Sequence, residues 1–330
     1  MKYLYTLTST PEDNYYEQFL LSAASLKLIT PHAEIILLCD TKTKDNLSDK
    51  RCEYEKFISN TVVVDVPENF TQTEVSRWVK TSMRRFVQGD FLFIDCDTII
   101  TDDLSSVTGF NMNVGACLDC HSLLDKHFNR DTFLSNDKLL GFNSHLSNKH
   151  FNSGVIFCKD TPFAHKLFER WHELWLFSRS KNILRDQPSF NMAIYENTDY
   201  FTELDGIWNC QIPFNSIPYL SNSKIIHYFA SNKSYTSPYI PASSDILNKI
   251  KQTGVVCEEI YDLLKYPRAA FISETRIVAG SDINTINSDL FKFINYLSVK
   301  KPSLFNFFNK ICSHLKKSVK KKIIKSGIIQ

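Results

Sequence analysis

Apolar and polar positions alternate in blocks of differing period along the first hundred residues. Lys2–Thr8 is a short apolar run and reads as a strand, while Tyr15–Leu28 carries Phe19, Ala23 and Leu26 on one stripe at helical spacing. Glu34–Cys39 is a second buried strand ending at Asp40, and the Val-rich Thr61–Val66 is a third. Glu74–Phe86 is helical, and Phe91–Ile94 is a fourth strand that stops abruptly at Asp95-Cys96-Asp97. This βαβα order predicts a mostly parallel, doubly wound α/β sheet flanked by helices. Such sheets hold ligands at the carboxyl ends of their strands.

The second half is more mixed. Val114–Leu118, Val155–Cys158 and Lys224–Tyr228 read as strands, and Phe163–Phe177 as an amphipathic helix carrying Trp171 and Trp175. Another helix opens at Arg185-Asp186-Gln187-Pro188. Beyond the Pro-containing stretch Ser237–Pro241 the pattern turns helical over Asp245–Lys251, Glu258–Leu264 and Ser288–Leu297, with no internal repeat. Three regions follow: 1–235 as a catalytic domain, 236–299 as a helical extension with a part in acceptor recognition, and 300–330 as a tail.

Composition narrows the class. With 330 residues, 43% hydrophobic, and only 9 Gly and 11 Pro, the chain is neither disordered nor fibrous. No run approaches the length of a spanning helix. The N-terminus reaches Glu12 and Asp13 before a signal-peptide core can form, so a cytoplasmic protein is expected. The formal charge of +2 conceals an asymmetry, because residues 300–330 hold nine Lys and no acid. The body is therefore mildly acidic, which argues against nucleic acid as a partner. In the tail Leu304, Phe308, Ile311, Leu315, Val319 and Ile323 share one helical stripe, with Lys310, Lys317, Lys320 and Lys321 off it. This is the pattern of a helix lying on an anionic membrane surface, here the inner face, with a solvated end as the plain alternative.

The nine cysteines are scattered and odd in number, as expected of free thiols in a reducing compartment. Cys117-Leu118-Asp119-Cys120 has zinc-knuckle spacing beside His121, but no second pair follows, and Gly115–Leu118 reads as a strand.

The chemistry gathers around Asp95-Cys96-Asp97. Two carboxylates leaving a strand end together suit Mg²⁺ or Mn²⁺ on a diphosphate, although such acids also cap turns. Downstream, Phe151-Asn152-Ser153-Gly154 reads as a polar turn feeding a strand, with groups able to bond hydroxyls. Asp186-Gln187 sits in a first helical turn, where a carboxylate is often only a cap. His227 ends a strand and offers a third metal ligand, with Lys233 six residues on to neutralise phosphate.

In order, Asn14-Tyr15, Arg77, Asp95-Cys96-Asp97, Phe151-Asn152-Ser153-Gly154, Asp186-Gln187, Trp208-Asn209 and His227-x-x-Ala230-x-x-Lys233 resemble the retaining, metal-dependent glycosyltransferases of family eight, over residues 1 to about 235. The resemblance implies a GT-A fold, a UDP-sugar donor and Mn²⁺ (or Mg²⁺) held by Asp95, Asp97 and His227. By the same resemblance Thr8 and Tyr15 line the uridine pocket, and Lys233 meets the phosphate. Arg77, Cys96, Asn152 and Ser153 would contact the nucleotide sugar. Asp186 and Gln187 would be the catalytic pair, Asp186 on sugar hydroxyls and Gln187 beneath the anomeric carbon, with Trp208-Asn209 shaping the pocket from behind. Bacterial members with basic, aromatic tails dock on the inner membrane, similar to Leu304–Lys325 here. Two departures stand out: Ala230 where the family has Gly, followed by Lys233-Ser234-Tyr235 instead of Lys-Pro-Trp, and Thr8 where the uracil pocket usually has an acid.

The expected function is transfer of a hexose or N-acetylhexosamine from a UDP-sugar to a hydroxyl of a cell-surface glycan or lipid-linked acceptor, with retention. A nucleotidyltransferase is one alternative; it needs a Gly-rich basic loop after the first strand, where this chain has Thr8-Ser9-Thr10-Pro11-Glu12-Asp13. A non-enzymatic membrane-associated partner protein is the other.

Overall fold

A computed structural model describes residues 1–212, 214–229, 242–268 and 288–312. Its central sheet has seven strands: β1 (Lys2–Leu7), β2 (Glu34–Asp40), β3 (Asn60–Val64), β4 (Phe91–Ile94), β6 (Val114–Leu118), β7 (Phe151–Cys158) and β8 (Phe201–Leu204). A smaller sheet joins β5 (Thr98–Ile100), β9 (Cys210–Gln211) and β10 (Ile225–His227). The large sheet runs in the order β3-β2-β1-β4-β7-β6-β8. β1 pairs parallel with β2 and β4, and β2 with β3, whereas β7 is antiparallel to both β4 and β6. The α/β reading is met.

The parallel half needs both faces covered, which is why its strands read as unbroken apolar runs. On one face the helix Tyr15–Ile29 packs Phe19, Leu20, Ala23 and Leu26 into a core with Tyr5, Leu37 and Leu92. On the other, Val75, Val79 and Met83 join Leu4, Phe93 and Trp171. The helices Ser244–Thr253 and Glu258–Lys265 add Leu247, Ile250, Ile260 and Leu264 to the first of these cores.

One reading needs correction. Phe151–Gly154 is the start of β7, not a turn before it: Phe151 pairs with Leu118, and the Asp95 N–H donates to the Gly154 carbonyl at 2.7 Å. The helix Arg130–Leu140 and the strands β5, β8 and β9 went unread.

By contact the chain divides into Met1–Ile272 and Ser273–Gln330. Within the second unit, Asp289–Lys300 is a helix capped by Ser288, and 302–312 is helical. Leu304, Phe307, Phe308 and Ile311 are exposed there, and the rest of the expected stripe lies outside the described residues. Among the described residues no helix is long and apolar enough to cross a membrane.

Candidate active site

β4 ends in a tight turn that carries Asp95, Cys96 and Asp97 to the carboxyl edge of the sheet and returns as β5. His227 terminates β10, whose antiparallel pairing sets it opposite Thr98. Two chain segments 130 residues apart are thereby pinned by one hydrogen-bonded ladder. One carboxylate oxygen from each of Asp95 and Asp97 and one ring nitrogen of His227 lie within 4.8 Å of one another. Gly154 faces this group from β7. A Cβ there would come within 2.5 Å of His227 Cε1 and 2.9 Å of both Asp95 Oδ2 and Asn152 Oδ1, so only glycine fits.

The group opens onto a cavity of about 300 Å³. Thr8, Tyr15, Arg77, Asp95, Cys96, Asp97, Asn152, Ser153, Asp186, Gln187 and His227 all line it. Lys233 and Ala230 lie outside the described residues. Asn209 sits behind the wall, fully buried, with its Oδ1 2.8 Å from His227 Nδ1.

Sequence reasoning missed Lys80. The helix Gln72–Ser82 begins with a capping box, in which the Thr71 N–H donates to Glu74 Oε2 at 2.7 Å and the Glu74 N–H to Thr71 Oγ1. Such a cap contributes about 1 kcal/mol and fixes where the helix starts. Arg77 and Lys80, three residues apart, then emerge on one face. Lys80 Nζ donates to Asp95 Oδ1 and Oδ2 at 3.0 and 3.1 Å and lies 3.8 Å from Asp186 Oδ2. The signal was a lone lysine one step from the Val75–Val79–Met83 stripe. Asp13 was missed too: it accepts from Ser9 Oγ, from the Thr10 and Tyr15 N–H groups and from Gln72 Nε2, tying the loop after β1 to the arginine-bearing helix.

Asp186, at the start of the helix Gln187–Glu196, accepts from Ser153 Oγ at 2.7 Å and faces Arg77 Nε at 3.1 Å as an ion pair without aligned N–H geometry. Burial opposes its charge, but Lys80, Arg77 and the Ser153 hydroxyl together hold its carboxyl below the usual range. Asp95 goes the other way: burial, reinforced by Asp97, outweighs Lys80 and raises it. Burial disfavours the charged form of His227, yet Asp97 at 3.1 Å and Asp95 outweigh it and raise the ring's pKa. Cys96 is pushed well up by burial and the two flanking carboxylates, so it is a neutral thiol in the wall and no nucleophile.

Two hard carboxylates, one imidazole and a neighbouring cavity match the donor set of Mn²⁺ or Mg²⁺. The second convergent group among the described residues, Asp119, Cys120 and His127, is buried, with Asp119 and His127 hydrogen-bonded to each other. Cys117 belongs to neither group; its Sγ approaches the Asp205 carbonyl, and His121 Nε2 accepts from the Gln211 N–H. All nine thiols are free.

A sequence profile described as glycosyl transferase family 8 matches residues 8–237. No curated protein matches the chain. Among solved structures, the galactosyltransferase LgtC in complex with donor and acceptor sugar analogues is similar at 13% identity and a TM-score of 0.50, over 86% of this chain and 99% of that one. The bifunctional glycosyltransferase WbbM is similar at 15% identity and a TM-score of 0.51, over 80% of this chain, which spans about half (51%) of that longer one. At such identities the likeness concerns the fold.

Proposed function

Because the chain belongs to glycosyl transferase family 8, and is thus a glycosyltransferase of GT-A fold, we propose that it moves a hexose or N-acetylhexosamine from a UDP-sugar to a hydroxyl of a cell-surface glycan or lipid-linked acceptor. The observation that carries this reading is the convergence of Asp95, Asp97 and His227 at the edge of a 300 Å³ cavity. Those three residues would hold Mn²⁺ or Mg²⁺, which when bound supplies positive charge for the departing diphosphate.

The remaining residues divide the work. Thr8 and Tyr15 take the uridine at the end of β1. Lys80, held by the Asp95 carboxylate, keeps a positive charge at the cavity edge where a diphosphate would lie. Arg77 and Lys80 keep Asp186 ionised, so Asp186 accepts hydrogen bonds from donor-sugar hydroxyls and orients the ring. Gln187 begins the next helix beside it and offers an amide to the reacting face. Neither is an obvious strong nucleophile, and attack by the acceptor on the face the diphosphate leaves needs none, so the retention that the family resemblance implies can proceed here by that route. Lys233 adds charge at the phosphate. The exposed Leu304, Phe307, Phe308 and Ile311 with the tail lysines hold the enzyme peripherally at an anionic inner membrane face.

The test is UDP release from a panel of UDP-sugars with Mn²⁺, with and without EDTA. Release abolished by chelation and restored by Mn²⁺ is expected; release indifferent to EDTA sinks the metal assignment. For the tail, truncation after Pro302 is expected to free the protein from anionic liposomes at moderate salt, and unchanged binding removes the anchor.

A further inference from the structure

The loop between β1 and the helix Tyr15–Ile29 has both of its ends in the cavity, Thr8 at one and Tyr15 at the other. Between them it is fastened to three distant segments. Arg51 donates to Ser9 Oγ, and the Ser9 N–H donates to Thr43 Oγ1 at 3.0 Å. Gln72 Nε2 donates to Asp13 Oδ2 at 2.8 Å. The third fastening comes from the helix Ser244–Thr253, where Lys251 Nζ donates to the Asp13 carbonyl at 2.6 Å and to Asn14 Oδ1 at 3.3 Å. Asp13 is thus gripped by its carboxylate from the arginine-bearing helix and by its carbonyl from the helical extension. The ammonium makes the second grip charge-assisted.

The helix that carries Lys251 is itself firmly seated. Leu247 and Ile250 are buried in the core that holds Phe19 and Leu20. Lys50 Nζ donates to the Gln252 carbonyl at 3.0 Å. Gly254 ends the helix in the left-handed region, at a φ of +79°, and a Cβ there would come within 2.7 Å of the Lys50 carbonyl oxygen. Glycine is the residue that satisfies both demands, so the helix end closes directly onto the backbone beside Arg51. The extension therefore reaches the loop twice, directly through Lys251 and indirectly through Lys50 and Arg51. Lys251 stands outside the cavity lining, so any effect it has on a ligand passes through the loop.

We infer that Lys251 is a positioning residue: the helix Ser244–Thr253 braces the loop after β1 from outside and sets how tightly the cavity holds a nucleotide. A part of the extension expected to serve the acceptor thus acts on the donor side. The nucleotide half of this inference rests on the donor reading above; the bracing of the loop does not. A loop ordered in advance spares the ligand the cost of ordering it, and each side chain kept in place is worth about 3–10-fold in affinity.

The experiment uses the full-length protein and two readouts. Amide hydrogen exchange is followed by mass spectrometry on peptides covering residues 8–15, without nucleotide, and UDP affinity is measured by calorimetry with Mn²⁺ present. In Lys251→Met the amides of Thr10 and Tyr15, which bond the Asp13 carboxylate, are expected to exchange faster than in the wild type. UDP affinity is expected to fall by about 3–10-fold, and the KM for a UDP-sugar to rise by the same factor with kcat unchanged. Lys251→Arg, which keeps the charge and the donors, is expected to recover slow exchange and affinity. Unchanged exchange in Lys251→Met overturns the inference, as does a variant that loses kcat at constant KM. Should Lys251→Met fail to fold, Lys251→Gln, whose shorter amide falls short of the Asp13 carbonyl, is read by the same criteria. A wild type that binds no UDP removes the donor reading, and the exchange rates then decide the brace by themselves.

Discussion

Asp95 and Asp186 line the same cavity, contact the same lysine and are taken from water, yet their carboxyl groups are displaced in opposite directions. Burial pushes both up. Asp186 has Lys80, Arg77 and a serine hydroxyl to set against it, and ends below the usual range. Asp95 must share Lys80 and has Asp97 as a like-charged neighbour, so it ends above. What separates them is the like-charged Asp97 beside Asp95, which Lys80 and His227 do not offset. One side of the site is a settled anion; the other has more negative charge than its lysine balances, and a dication is its natural complement.

The largest effect is expected from the unbalanced side. Asp97→Ala should lower the rate of UDP release by about 10²–10³, the scale on which lost charge-stabilising contacts act. A full-rate variant would erase the distinction between the two carboxylates. Next comes the shared lysine. Lys80→Met removes the cation shared by two carboxylates and should destabilise the metal-free protein by about 3 kcal/mol in chemical denaturation. Mn²⁺ should restore more stability to this variant than it adds to the wild type. Equal gains in both would show that lysine and cation do not compete for Asp95.

A smaller effect on metal binding sharpens the contrast. Asp186→Asn, which leaves Lys80 to Asp95 alone, should lower Mn²⁺ affinity far less than Asp97→Ala does, while slowing sugar transfer. A loss matching that of Asp97→Ala would merge the two halves. The last contrast is in stability against pH. His121, His150 and His172 are each pushed down from 6.5 to about 4, chiefly by burial. The unfolded chain therefore takes up protons that these rings refuse, so the melting temperature should fall as pH drops from about 6.5 towards about 4. Asp186 adds a loss lower still, as pH falls through its depressed value. A flat profile between 6.5 and 4 would mean that the rings are not held neutral.

The parallel half of the sheet was legible because strands covered on both faces are written as uninterrupted apolar runs bounded by helices. Its acids were legible for the same reason: Asp95 and Asp97 break such a run at its end. β5 and β9 were not, being three and two residues long, with too few positions to show a period. Asn152-Ser153-Gly154 looked like a turn because it is polar, but the polarity serves the cavity while the backbone continues the ladder. Lys80 was hidden because a single lysine on an amphipathic helix ordinarily means solvent. The contact of Lys251 with Asp13 joins positions 238 residues apart, and no local spacing announces it.

The Asp95 amide closing on the Gly154 carbonyl has one more implication. It extends the pairing of β4 with β7, in which Ile94 stands opposite Val155, so Asp95 and Gly154 are ruled into the register of two neighbouring strands. Deleting or adding one residue in either strand would turn its acid or its glycine to the opposite face. The connecting loops carry no such constraint. Loop length can therefore change without moving the Asp95–Gly154 contact, whereas one residue more or less in β4 or β7 displaces it.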